Sequence, residues 1–302
     1  MTELTITFPD QWINADKFEQ ALLWQTVPTS FEPNTAITFC IPTSGKIMVE
    51  TAIRLLSLIN QLAVEGVSVT LTFEGKQNEA MSWLNRANFF SVLSEQVRVL
   101  PLRPDSTAFQ RYQGQSKNLV EFKSIGLSYN EQYRQSLPSQ LANTLEVLME
   151  THPDRKSFSN AAYTIFAELI NNVYDHSQTI LDGFAALQVY PQGKKVQVVV
   201  SDSGIGLLET LRPKVSMHLP DVDLLRLLFR GGLTWSETRG IGLHACAKKA
   251  LKYHGRVDIR LATCSISLQP SSGSYEKVHL QANLALIKGT HICFSFPLDK
   301  SL

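Results

Sequence analysis

Within 302 residues, 44% of them hydrophobic, the chain has enough apolar material for two ordinary domains, and its formal net charge of +1 argues against a general nucleic-acid or membrane-surface role. Cys40, Cys246, Cys264 and Cys293 stand far apart with no CxxC or Cys/His cluster, which argues against a structural zinc site or disulfide framework and for small core residues in a reducing compartment. No apolar run reaches membrane-spanning length, and the opening MTELTITFPDQW carries acidic and polar residues where a signal peptide needs an apolar stretch, so a cytoplasmic protein is expected.

Residues 1–104 alternate strand and helix signals. Residues 4–8 alternate apolar and polar, 36–41 form a second strand candidate, and 67–73 a third with a clean period of two. Between the last two, Ile47, Ala52, Ile53, Leu55, Leu56, Leu58, Ile59 and Leu62 mark one long helix that ends near Gly66. Met81, Trp83, Leu84, Phe89 and Phe90 suggest further helix, and 97–102 a last strand before Pro104. This order predicts an α/β domain with a mixed or parallel sheet. In the turn Ile41-Pro42-Thr43-Ser44-Gly45, Ser44 reads as the cap of the long helix.

Residues 105–137, with Gly114, Gly126 and only short apolar groups, read as a connecting segment. Tyr112, Phe122, Tyr129 and Tyr133 predict that part of it packs on a domain. From 138 to 302 the pattern predicts one α/β sandwich, a mostly antiparallel sheet under helices. The helices are expected over 138–149, 159–177, 221–229 and from Gly242 to His254. In the second of these, Ala161, Ala162, Ile165, Phe166, Leu169, Ile170 and Val173 recur at helical spacing, with Ser159 or Asn160 as cap. Residues 184–190 and 196–200 predict a hairpin, and 257–261, 278–286 and 291–296 further strands.

The residues that carry chemistry lie in this second part. Glu168, Asn172, Asp175 and His176 follow at i, i+4, i+7 and i+8, so they project from nearly one side of their helix. Such a stripe suits either a hydrated metal with a water or an ordinary solvated face. Asp202 ends the 196–200 strand, and Gly204 and Gly206 let a flat ligand approach without a Cβ in the way. Arg239-Gly240-Ile241-Gly242-Leu243 opens a helix whose free amides make an anion site. Residues 230–239, glycine-hinged and polar, predict a lid, with Arg230 and Arg239 as candidates to meet phosphate.

Together these segments resemble the ATP-binding domain shared by DNA gyrase B, Hsp90, MutL and the histidine kinases, the GHKL or Bergerat family. Glu168-Leu-Ile-Asn-Asn172-Val-Tyr-Asp175-His176 resembles its N box, Asp202-Ser-Gly204-Ile-Gly206 its G1 box, and Gly240-Ile-Gly242-Leu243 its G2 box. The closing GTHICFSFPL is similar to the last strand of histidine-kinase catalytic domains, with Gly289-Thr290 in place of a third glycine box. The resemblance implies a Bergerat fold over 138–302 that takes ATP and Mg²⁺. By it, Asp202 accepts the adenine amino group, Thr290 assists there, Asn172 coordinates Mg²⁺, Gly240 and Gly242 face the phosphates, and Glu168 orients the nucleophile as in gyrase-like ATPases and anti-sigma serine kinases. Asp175 and His176 either touch phosphate-bound water or pair on the surface.

The first domain faintly resembles the STAS domain of anti-sigma factor antagonists, which implies a regulatory or docking role. No long helical hairpin with a phosphoacceptor histidine precedes the second domain, and His152 stands before a proline, so a conventional histidine kinase is disfavoured. The expectation is a Mg·ATP-dependent kinase or ATPase of a bacterial signalling system with a protein partner, or else a nucleotide-gated interaction switch. A homodimer is left open.

Overall fold

The computed structural model describes residues 2–24, 35–105, 107–116, 118–126, 130–148, 155–192, 194–214, 219–229, 242–270 and 277–298. It is a mixed α/β protein. Its first part runs β1 (Thr2–Thr7), β2 (Trp12–Ile13), α1 (Ala15–Trp24), β3 (Thr35–Ile41), β4 (Lys46–Ile47), α2 (Val49–Val64), β5 (Ser68–Phe73), α3 (Glu79–Arg86), α4 (Phe89–Val92) and β6 (Arg98–Leu100). The order β1-β3-β5-β6 forms a four-stranded sheet, and every pair in it is parallel. Parallel neighbours need a crossover, which the intervening helices supply.

The second part runs α5 (Thr107–Tyr112), β7 (Leu119–Ile125), α6 (Glu131–Leu148), α7 (Arg155–His176), β8 (Gly183–Tyr190), β9 (Lys195–Ser201), α8 (Gly206–Leu211), α9 (Asp221–Phe229), α10 (Gly242–Lys252), β10 (Arg256–Leu261), β11 (Cys264–Gln269), β12 (Lys277–Gln281) and β13 (Thr290–Pro297). Its sheet has seven strands in the order β12-β11-β10-β13-β9-β8-β7, antiparallel throughout. Among the described residues no helix is long and apolar enough to cross a membrane.

The period of two explains how this sheet is used. Val196, Val198 and Val200 of β9, Ile292, Phe294 and Phe296 of β13, and Val257, Ile259 and Leu261 of β10 share a core with α6, α7 and α10. Towards the middle of the sheet the alternate residues Gln197, Val199, Ser201, Arg260, His291 and Cys293 are buried as well. Phe184, Ala186, Val199 and Cys293 belong to the core of the first part, together with Phe39, Leu55 and Leu71. Helix α2 lies between the two sheets, in contact with β5 on one side and with β8 and β9 on the other. The middle of the seven-stranded sheet, around β8, β9 and β13, is therefore buried on both faces, and it, rather than residues 105–137, divides one core from the next.

Several expectations are corrected at this level. Ser44 does not cap the long helix: β4 intervenes, Met48 is the cap residue without a side-chain bond, and the Val49 amide donates to the Tyr190 hydroxyl at 2.9 Å. The Ser44 amide instead donates to Asp10 Oδ1. Ser159 and Asn160 lie inside α7, which begins at Arg155. Helix α6 begins at Glu131, capped by Asn130 through the Tyr133 amide, so Pro138 is interior and not initial. Its missing amide is tolerated where Leu137, Leu141 and Leu145 anchor the helix in the core. The segment read as a connection supplies the edge strand β7 and the start of α6.

Candidate functional site

Asp202 leaves the sheet at the end of β9, where its amide donates to the Thr290 carbonyl at 3.0 Å. Its side chain is 8% exposed. Burial pushes the carboxyl pKa up to about 6, against hydrogen bonds from the Gly204 amide and from the backbone and hydroxyl of Thr290. Thr290 Oγ1 in turn accepts from the Leu207 amide at 3.0 Å, which closes the 202–207 loop onto β13. A buried carboxylate, a threonine and a glycine loop thus share one small volume.

Glycine is required where this loop touches its neighbours. The Ile205 amide donates to the Ser177 carbonyl at 3.0 Å, and a Cβ on Gly204 would run into the Ser177 backbone. At Gly289, φ is +95° and a Cβ would overlap the Asp202 carbonyl. The loop is therefore wedged between the C-terminal end of α7 and the start of β13.

Helix α7 brings Glu168 and Asn172, both half-buried, to the neighbouring face. A Cβ on Gly242, the first residue of α10, would overlap the Glu168 carboxylate, so the helix opening rests directly on this acid. The acid sits where α10 has free amides and a partial positive charge. Leu243 is buried beside it, and burial together with the Glu168 charge pushes the Cys246 thiol up to about 12.

Asp175 turns the other way. It pairs with Arg134 of α6 at 3.0 Å, while Arg134 Nε donates to Asn171 and the guanidinium lies over the Tyr174 ring. Of the two alternatives open for Asp175, the structure has the surface pair. The His176 side chain, the whole 230–239 lid with Arg230 and Arg239, and Gly240 lie outside the described residues. The structure thus brings together Asp202, Gly204, Gly206 and Thr290 in one cluster, and Glu168, Gly242 and Leu243 in a second along α7, with Asn172 one turn on from Glu168.

Sequence reasoning passed over three residues here. Ser203 is buried next to Asp202, and its hydroxyl has no partner among the described residues. Ser201 and His291 are buried behind the loop and bond to each other. Their signal was a polar residue in the inward register of otherwise apolar strands. A cavity of about 450 Å³ lies apart from these residues, between Trp83, Arg86, Glu121 and Gln188, and one of about 130 Å³ lies between Val173, Ser177 and Asp182, on the side of α7's end.

Among the described residues no group of three or more His, Cys, Asp or Glu side chains could hold a metal ion by itself. Compared with protein-family models and with curated protein sequences, the chain finds no match.

Proposed function

We infer that the chain binds Mg·ATP in its second part and uses it as a signalling kinase or ATPase of the GHKL type. The single observation that carries this reading is the Asp202 cluster. A carboxylate is kept out of water at a strand end, beside a threonine, a buried hydroxyl without a partner among the described residues and a glycine loop packed closely on Ser177 and Gly289. Buried polar groups are ordinarily satisfied, so an acceptor and a spare hydroxyl here suit a ligand with an amino group on a flat ring. Adenine is such a ligand.

The donors nearby also suit Mg²⁺, which takes few protein ligands and shares its shell with phosphate and water. In such a site the metal supplies neutralisation of phosphate charge. The chain's own part would be the Asn172 amide oxygen as a hard neutral ligand. Glu168, one turn away, would orient the nucleophile and hold its proton. The α10 opening at Gly242 would offer amides to phosphate. A regulatory or docking role for the STAS-like first part belongs to the same reading, as do a protein partner and a cytoplasmic location.

The second reading is a nucleotide-gated switch, favoured by the contact between Glu168 and the α10 opening, since an acid packed against that helix end can sense its position without doing chemistry. Titration calorimetry with a non-hydrolysable ATP analogue, run beside a phosphate-release assay, tests both. Asp202→Asn should abolish binding while the fold persists, and unchanged affinity would sink the nucleotide assignment. Glu168→Ala should keep affinity and lower turnover by roughly 10²–10⁴-fold if the residue is a general base. Unchanged slow turnover in that variant would favour the switch.

A further inference from the structure

We propose that helix α2 of the first part positions the Asp202–Thr290 end of the candidate nucleotide site, through a buried hydrogen-bonded chain that runs from Ser57 to Lys288. The role of Asp202 toward adenine rests on the reading above; the mechanical link does not.

Glu50, Arg54, Ser57, Gln61 and Glu65 follow at intervals of four, three, four and four, which places them along one side of α2. Ordinarily such a stripe meets water. Here Glu50, Arg54, Ser57 and Gln61 are buried, and Ser57 is wholly inaccessible. The Ser57 and Ser201 hydroxyls share a hydrogen bond at 3.1 Å, and Ser201 Oγ bonds to His291 Nδ1. On the far side of the ring, His291 Nε2 meets the Lys288 carbonyl at 3.1 Å.

The directions of these bonds follow from one another. Burial, reinforced by Arg54 and Arg260, pushes the His291 pKa down to about 3, so the ring is neutral. A carbonyl only accepts, so Nε2 carries the proton and Nδ1 accepts from Ser201. Ser201 has then spent its proton, and Ser57 must donate to it. The result is a one-way chain from α2 through β9 to β13.

Gln61, one turn further along α2, closes the same loop from a second side. Its amide nitrogen donates to the Lys288 carbonyl at 3.0 Å, and its oxygen accepts from the Lys288 amide at 2.9 Å. Glu65 pairs with the Lys288 ammonium. Ser201 directly precedes Asp202, and residue 288 directly precedes Gly289 and Thr290. The last residue of β9 and the approach to the first residue of β13 are thus held by one helix.

Hydrogen–deuterium exchange on the full chain tests the link without any ligand. Ser57→Ala, and Gln61→Met, which keeps the volume and loses both bonds, should speed exchange in peptides covering 201–208 and 288–292. The 257–268 hairpin should be unaffected. Thr51→Val, on the same helix, removes a buried hydroxyl that has no partner among the described residues and should change neither region. Unchanged exchange in both test variants overturns the proposal, and so does a uniform rise across the sheet.

Binding then separates the two ideas. If wild-type protein binds adenosine, both test variants should weaken it by about tenfold, as the loss of a buried hydrogen bond predicts, and leave inorganic triphosphate binding unchanged. Equal losses for both ligands would overturn the positioning role. If wild-type protein binds no adenosine while the local exchange effect persists, the nucleotide reading fails and the mechanical link stands.

Discussion

An aspartic acid with a raised pKa couples the protein to pH in a direction opposite to that of most surface carboxylates. In the folded chain Asp202 holds its proton up to about pH 6, whereas an unfolded chain releases it near pH 3.9. Between these values the folded state binds more protons, so this group's contribution to stability is fully present below about pH 4 and is lost as pH rises through 6. The full swing is about 3 kcal/mol at this burial. Thermal melts of wild type and Asp202→Asn at pH 4 and pH 7 check the sign: the substitution should help more at the higher pH. If the ionised carboxylate accepts the adenine amino group, ATP affinity in the wild type should strengthen as pH rises through 6. The glycines give a second contrast at this scale. Gly204→Ala pits a Cβ against the Ser177 backbone, which cannot yield, while Gly242→Ala pits one against the end of the flexible Glu168 side chain. The first should lower the melting temperature sharply; the second should leave it near wild type and, if Glu168 is the proposed general base, reduce turnover, because its carboxylate must be re-aimed.

Among the secondary elements, α1 matters more than its length suggests. Phe18, Ala21 and Leu22 bury one side of it, and Glu19 comes with them. Glu19 accepts from Arg260 Nε and Nη2, each at 3.0 Å, and lies 3.4 Å from Arg54 Nη1. Arg260 is wholly inaccessible, and it also donates to the carbonyls of Leu261, Ala262 and Ala285. Glu19→Ala would leave a buried guanidinium without its counter-charge, at a cost of about 3–5 kcal/mol. Glu19→Leu combined with Arg260→Met should recover part of that loss, the remainder being Arg54, which also loses its carboxylate; urea titrations of the single and double variants can measure this. The same pair shows what the sequence could carry. β3, β5, β8, β9, β10 and the middle of α2 and α7 were legible because their apolar period is local. β11 also alternates, as Cys264, Ile266 and Leu268 against serines and Gln269, and its signal was passed over. The caps of α2 and α7 and the start of α6 were misread because a helix start depends on neighbours beyond the element, as when Tyr190 accepts the first amide of α2. In the candidate site, Asp202, Gly204 and Glu168 stood out by residue type and spacing. Ser201 and His291 did not, since their meaning lies in contacts with a helix more than a hundred residues away in the chain.

For the molecule as a whole, the polar side of α2 was the feature least available to sequence reasoning, because a charged stripe on a helix is ordinarily a wet one. Here it faces a sheet, and the sheet's own back face answers with Ser201, Arg260 and His291 amid Phe184, Ala186, Val199 and Cys293. Neither side is suited to water: the sheet would expose apolar residues, and the helix would leave Leu55 and Leu58 covered on one side only. Two domains with separate cores would unfold in two steps. A shared core and a buried ionic seam predict one cooperative transition, with the calorimetric enthalpy for the whole chain equal to the van't Hoff value. A fragment of residues 105–302 should then be insoluble or lack a cooperative melt when made alone, because Arg260 loses Glu19 and the back of the sheet loses α2. Co-expression with residues 1–104 should restore a soluble complex that melts like the intact chain. A stable, independently melting 105–302 fragment would show that the seam is a docking surface, and the coupling between α2 and Asp202 would then have to be optional.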